Sequence, residues 1–399
     1  MLDKALSDVK VLDLTWYIAG PYCTKLLADR GAEVIKVERP GTGDPARHIG
    51  PFLNDEPHPE KCALFLYLNN NKKSLTLNLK SRSGVGIFKE LLKGADVLVE
   101  SFSPGVMARL GLDYATLEEI NSKLVMTSIS NFGQVGPYRD HQAAHLVNCA
   151  LSSWMYSTGD PDKEPLQVGG WISHYIAGIH GAIGTMVALH WARETGEGQH
   201  VDLSAHEAMI STSRSLQLLW QSYGGRYRIR EGNVQVASTG QVCPTRDGYI
   251  AVNILNQIHW DAFTQYMQRP ELEDPKFATP LLRRENIKEL TDLVFNMFRD
   301  REHDEVFHSG QAWRVPFGLV PSAGEVLQSD QYRAREYFVE VEHPVVGKVT
   351  LPGAPFKMSD SPFEIGSPAP LLGEHNEQIL RSLGYSKEEI VRLRENGAI

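Results

Sequence analysis

Apolar blocks with two different periods follow one another from the start of the chain. VKVLDLT is a β-branched apolar run, AGPYCTKLLADRGA has helical spacing and stops at Gly31, and EVIKVER is a second apolar run. That succession predicts strand, helix and parallel strand in a sheet covered by helices. Such sheets take ligands at the carboxyl ends of their strands, so the loops after Leu14 and Val37 are candidate ligand loops. A second round follows, with SLTLNLK as strand, GVGIFKELLKGA as helix and DVLVESF as strand, and LVMTSIS closes the series near Ser130. The class is α/β.

From Ala143 to Arg193 the pattern turns mainly helical, with a loop at TGDPDKEPLQVGG. The segment WISHYIAGIHGAIGTMVALHWARE holds Gly178, Gly181 and Gly184 at three-residue spacing. With no strand and turn before it, this run predicts close helix packing and not a nucleotide fingerprint. A strand HVDLS and a further helix lead out of the region. Between Arg226 and Val320 the text changes to strand, turn, strand (GQVCPTRDGYIAVNI) and charged helices, the expected small domain. The tail brings two strands, YFVEVEH and GKVTLPG, then charged helices. Between them the long loop PGAPFKMSDSPFEIGSPAPLLGEHN is expected to wrap across a lobe or a partner.

The 399 residues suggest two domains, and 42% hydrophobic with 22% charged residues is an ordinary globular composition. A net charge of -9 without a basic stripe argues against a nucleic-acid binder. The N-terminus reaches charged residues too soon for a signal peptide, so a cytoplasmic location is expected. Cys23, Cys62, Cys149 and Cys243 lie far apart and are expected to be reduced and buried. His141 and His145 have metal-compatible helical spacing but no completing ligand, so no metal is expected. Arg39, Arg47, Lys72 and Lys73 are expected to gather at one edge of the sheet as a phosphate pocket.

Six collinear segments, among them VLDLTWYIAGPYCTKLLADRGAEVIKVERPGTGDPAR, ADVLVESFSPGVMARLGL and APLLGEHNEQILRSLGYSKEEI, resemble the class III (CaiB/BaiF-type) CoA-transferases over nearly the whole chain. The resemblance implies a Rossmann-like large domain over 1–220 and 330–399 that binds CoA. It also implies a small α+β domain with linkers over 226–325, and two ring-shaped chains threaded through each other. It implies acyl-CoA and an organic acid as substrates, with no permanently bound cofactor. By matching position it puts Arg39, Lys73 and Arg109 against the CoA, the Ile18-Ala19-Gly20 loop beside the thioester, and Ser101 where formyl-CoA transferases carry asparagine.

The family's chemistry lies on an aspartate in a V-G-x-x-x-x-D-x-x-x-G pattern, whose carboxylate forms an anhydride and then an enzyme-CoA thioester. Here that stretch reads VGGWISHYIAG, with His174 in the aspartate's place, and Ala144-His145 replaces a second acidic or His-Asp pair. A histidine has no carbonyl for thiolate to attack. Three functions follow from this. The first is a non-nucleophilic subunit paired with a homologous Asp-bearing sister, for which the family's two-subunit benzylsuccinate enzymes of anaerobic degradation, with succinyl-CoA as donor, are the nearest functional match. The second is a homodimeric racemase or isomerase using His174 or His145. The third is a non-catalytic acyl-CoA-binding protein.

Overall fold

The computed structural model describes residues 4–225, 230, 232, 234–235 and 240–399; the expected domain boundary at Arg226 lies outside them. Two units emerge. The first comprises 1–153, 169–219 and 333–399, and the second 154–168 and 220–332. The segment Trp154–Val168 therefore groups with the second unit, although the expected large-domain span runs through it.

The first unit is built on a parallel sheet of β1 (Lys10–Leu14), β2 (Glu33–Glu38), β3 (Lys72–Thr76), β4 (Val97–Glu100), β5 (Val125–Ser130) and β6 (Gln199–Ser204), in the order β3-β2-β1-β4-β5-β6. The series therefore does not close at LVMTSIS: the HVDLS strand extends the sheet beside β5, with Val125 opposite Gln199 and Ser130 opposite Ser204. Helices cover both faces, which is why β1 and β4 read as apolar runs. On one face α1 (Ala19–Ala28) packs over Val11, Val34, Val97 and Val99. On the other, α2 (Arg82–Leu92) sets Ile87 and Phe88 against Leu12, Leu75 and Leu98.

Two further helices of this unit bear on the site, α3 (His145–Leu151) and α4 (Ile172–Thr195). Among the described residues α4 is the helix long and apolar enough to span a membrane, but half of its apolar stretch is buried and it joins α1 on the sheet. Its glycines make the close contacts their spacing predicts. A Cβ on Gly178 would stand 2.7 Å from the Ala19 carbonyl oxygen, one on Gly181 2.8 Å from Ile129, and one on Gly184 3.1 Å from Val201.

The second unit holds an antiparallel sheet of β7 (Val234–Gln235), β8 (Gly240–Pro244), β9 (Tyr249–Asn253) and β10 (Phe317–Leu319). Against it α5 (Gln257–Met267) and α6 (Ile287–Met297) bury Trp260, Phe263, Leu290 and Val294. The chain then returns to the first unit through the hairpin β11 (Phe338–His343) and β12 (Gly347–Pro352). The long loop after β12 wraps across its own unit. Asn71 Oδ1 accepts from the Gly366 and Ser367 amides, and Arg47 donates to the Pro370 carbonyl. The last helix, α7 (Lys387–Glu395), begins in a Ser386–Glu389 capping box.

Candidate functional site

At the carboxyl ends of β1 to β4 the first unit opens a cavity of about 720 Å³, within the range of small-molecule sites. Its walls are the successive loops after β1 (Trp16, Tyr17), β2 (Arg39, Pro40, Thr42), β3 (Leu77 to Lys80) and β4 (Ser101 to Ser103), closed by Gly397. Trp16 is the centre of this wall: the Arg39 guanidinium lies 4.0 Å from its ring, and Phe102 meets it edge-on at 5.1 Å. The Ser101 hydroxyl oxygen accepts the Trp16 N–H at 2.9 Å. The indole face helps hold the guanidinium in place on the wall, where it offers a positive charge to an anionic ligand.

A buried ionic network holds the first of these loops. Lys36 donates to the Thr15 carbonyl at 2.9 Å and pairs with Asp44 at 2.8 Å, and Asp44 in turn accepts the Tyr17 N–H at 3.1 Å. Tyr17 has φ 64°, a left-handed backbone unusual for a large side chain. Strain of this kind persists where the surroundings over-determine it. Beneath, Asp13 accepts from Thr24 and from Lys72 at 3.0 Å. Burial alone would raise the Asp13 carboxyl, but Lys36 and Lys72 hold it well below its usual range, while burial pushes Lys72 down to about 8.

The four expected phosphate cations therefore part company. Arg39 lines the cavity, whereas Arg47 is fully buried between Glu38 at 2.8 Å and Glu60 at 2.6 Å, over the Phe65 ring. Lys72 is spent on Asp13. Lys73 lies in β3 opposite Ile35 and pairs with Glu33, so it stands about 10 Å from the carboxyl end of its strand. The cation that β3 does send to the cavity is Lys80, in the loop just before the Ser81 cap of α2. The lysine that ends the apolar run SLTLNLK was the available signal. Arg109 borders an adjoining depression with Lys80 and Arg82. Ser101 lines the cavity, but Ile18 is buried among Ala46, Trp171 and Tyr175, and Ala19 turns its carbonyl toward Gly178; Trp16 and Tyr17 take the wall instead.

His174 stands in the first turn of α4, one turn before Gly178 and hence on the helix face that meets Ala19. Burial, then the neighbouring His145, pushes its imidazole down to about 4, so it is neutral near pH 7. The two rings are 6.4 Å apart. His145, near the start of α3, is buried, with Nδ1 2.9 Å from the Ser173 hydroxyl and 3.6 Å from the Cys149 thiol one turn on, a cysteine that the pairing of His141 with His145 passed over. All four cysteines are buried thiols that form no disulfide. An imidazole titrating near 4 is a weak general base at neutral pH, and an imidazole ring offers no acyl carbon to a thiolate.

One further titrating group flanks the cavity. Glu100 ends β4 beside Ser101, and its Oε2 accepts the Phe102 N–H at 2.7 Å. Burial pushes it up to about 7 against the opposing pull of the Ser128 hydroxyl and the Phe102 amide.

Known proteins resemble the chain over its whole length. It is 33% identical to the succinyl-CoA–D-citramalate CoA-transferase of Chloroflexus aurantiacus over 99% of this chain and 98% of that one. It is 32% identical to succinyl-CoA:(R)-benzylsuccinate CoA-transferase subunit BbsE of Thauera aromatica over 100% and 99%. The crystal structure of a CaiB/BaiF family protein from Brucella suis superposes with TM-score 0.86 at 28% identity, covering 96% of this chain and all of that one. Residues 6–376 match the family model for CoA-transferase family III, and the chain belongs to that family.

Proposed function

We propose that the chain is the non-nucleophilic subunit of a CoA-transferase that moves CoA from an acyl-CoA such as succinyl-CoA to a carboxylic acid, benzylsuccinate being the acceptor suggested by the BbsE likeness. The observation that carries the reading is His174: a neutral imidazole at the start of α4, in the place where the family pattern has its aspartate. In the transfer cycle a carboxylate attacks the thioester, releasing CoA thiolate and leaving a mixed anhydride. Thiolate then attacks the enzyme's carbonyl, the donor acid departs, and the acceptor repeats the sequence in reverse. Attack by imidazole stops at an acyl-imidazole, because the ring cannot become the acyl half of an enzyme-CoA thioester. The carboxylate is therefore supplied by a homologous sister chain, and this chain contributes an acyl-CoA cavity, with Arg39, Lys80 and Arg109 as the cations for the phosphates and Ser101 on the wall.

The test is a transfer assay with succinyl-CoA and an acceptor acid, run on the isolated chain and on the chain with its native purification partner. Transfer is expected only in the second; rapid exchange by the isolated chain sinks the reading.

A further inference from the structure

The cavity has a wall that comes from the other end of the chain. After α7 the backbone turns at Gly397, φ 65°, with its amide bonded to the Arg394 carbonyl at 3.0 Å and the Ala398 amide to the Leu393 carbonyl at 2.9 Å. This is a left-handed helix stop, which glycine makes without steric cost. The turn sends Ala398 and Ile399 back under the sheet. Both are buried, and Ile399 joins Leu77, Ile87 and Phe88 in the core. Gly397 itself stays exposed and lines the cavity.

The segment is also tied to the β3 loop. Asn78 donates its backbone N–H to the Ala398 carbonyl at 2.8 Å and its side-chain amide to the Gly397 carbonyl at 3.3 Å. The same Asn78 side chain accepts the Lys80 N–H at 3.1 Å, and its carbonyl accepts the Ser81 N–H at 2.9 Å. Asn78 thus passes the position of Gly397–Ala398 directly to Lys80 and to the start of α2. At Gly397 a Cβ would meet no protein atom within 4 Å, so the missing side chain leaves open space beside the cavity.

We infer that Gly397–Ile399 belongs to the acyl-CoA site: Gly397 is a side-chain-free wall that leaves room for the ligand, and Gly397 and Ala398 together position Asn78 and Lys80. The inference rests on the CoA reading of the cavity. It treats these residues as positioning and specificity-determining and gives them no part in bond making.

The experiment is calorimetric titration of the whole chain with coenzyme A, comparing wild type with Gly397→Asn. Asparagine tolerates the left-handed backbone better than other side chains and fills the open space. The variant should bind CoA about tenfold or more weakly, with a melting temperature within about 3 °C of wild type. Equal affinity in a folded variant overturns the inference while leaving the CoA reading standing. A wild type that does not bind CoA brings down both. Should the variant fail to fold, hydrogen exchange on wild type decides: CoA is expected to slow exchange across Leu393–Ile399, and unchanged exchange in a sample saturated with CoA overturns the proposal.

Discussion

At His174 a half-buried imidazole faces a second imidazole 6.4 Å away, and both circumstances disfavour its charged form. Its ring signals in a histidine-selective NMR titration are expected to stay at the neutral limit from pH 8 down to about 5.5, with protonation only near pH 4; a midpoint at 6 or above would return it to the candidates for acid–base work. Under the proposed reading a carboxylate belongs at this position, so His174→Asp, mixed with an acyl-CoA, should give a CoA-thioester adduct visible by mass spectrometry and lost on hydroxylamine treatment. Glu100 shows the opposite sign. Its folded value near 7 exceeds the ordinary 4.5, so between those values the folded protein keeps a proton that the unfolded chain has released. Stability from this group is complete below the window and falls as pH rises through it, by an amount on the order of 3 kcal/mol. Glu100→Gln should therefore gain in thermal midpoint relative to wild type on going from pH 5 to pH 8, and an equal difference at both pH values would acquit Glu100.

The helix α4 carries His174 at one end and its packing glycines from one turn further on, so the quality of that packing sets where His174 stands. Gly178→Ala places a methyl group 2.7 Å from a main-chain oxygen and 3.0 Å from the Tyr22 ring, neither of which yields easily. The overpacking cost of about 1–3 kcal/mol should outweigh the gain of up to about 1 kcal/mol in helix propensity. Gly184→Ala meets only the tip of Val201 at 3.1 Å, so the first variant should melt well below the second, and the reverse order would refute the close contact with α1. Period and glycine spacing announced these elements because each stacks one apolar face on another. The same pattern misread β3 as starting at Ser74, because Lys72 and Lys73 look like loop residues when a buried partner for one and a neighbouring carboxylate for the other are invisible. It closed the sheet one strand early, at β5, since an edge strand with only Ser204 fully buried does not say which strand it pairs with. In the site, Arg39 was legible from its place just beyond a strand, whereas Ser101 came only from the family resemblance. Arg47 was not, because its Glu38 and Glu60 partners come together only once β2 and the loop beyond it are folded.

On the scale of the whole molecule, the outward face of α4 carries an exposed apolar stripe. Ile179, Ile183, Val187 and Trp191 recur every fourth residue, and each is between 41 and 66% exposed. Four apolar side chains in one stripe form the kind of contiguous patch that marks an interface. Association through such a stripe draws on short-range burial and is expected to weaken little when salt rises. Under the proposed pairing this stripe is covered in the working enzyme. The double variant Ile183→Glu, Val187→Glu puts two carboxylates into the covered face, where an unpaired buried charge costs several kcal/mol. Because both positions are solvent-exposed in the single chain, the fold itself should be spared. Light scattering after size exclusion should then give the mass of one chain where wild type gives that of an assembly, with the circular dichroism of the two proteins unchanged. An assembly of undiminished mass in the variant would show that chains associate through another surface, and would remove α4 from the account of how the nucleophile of one chain reaches the acyl-CoA of the other.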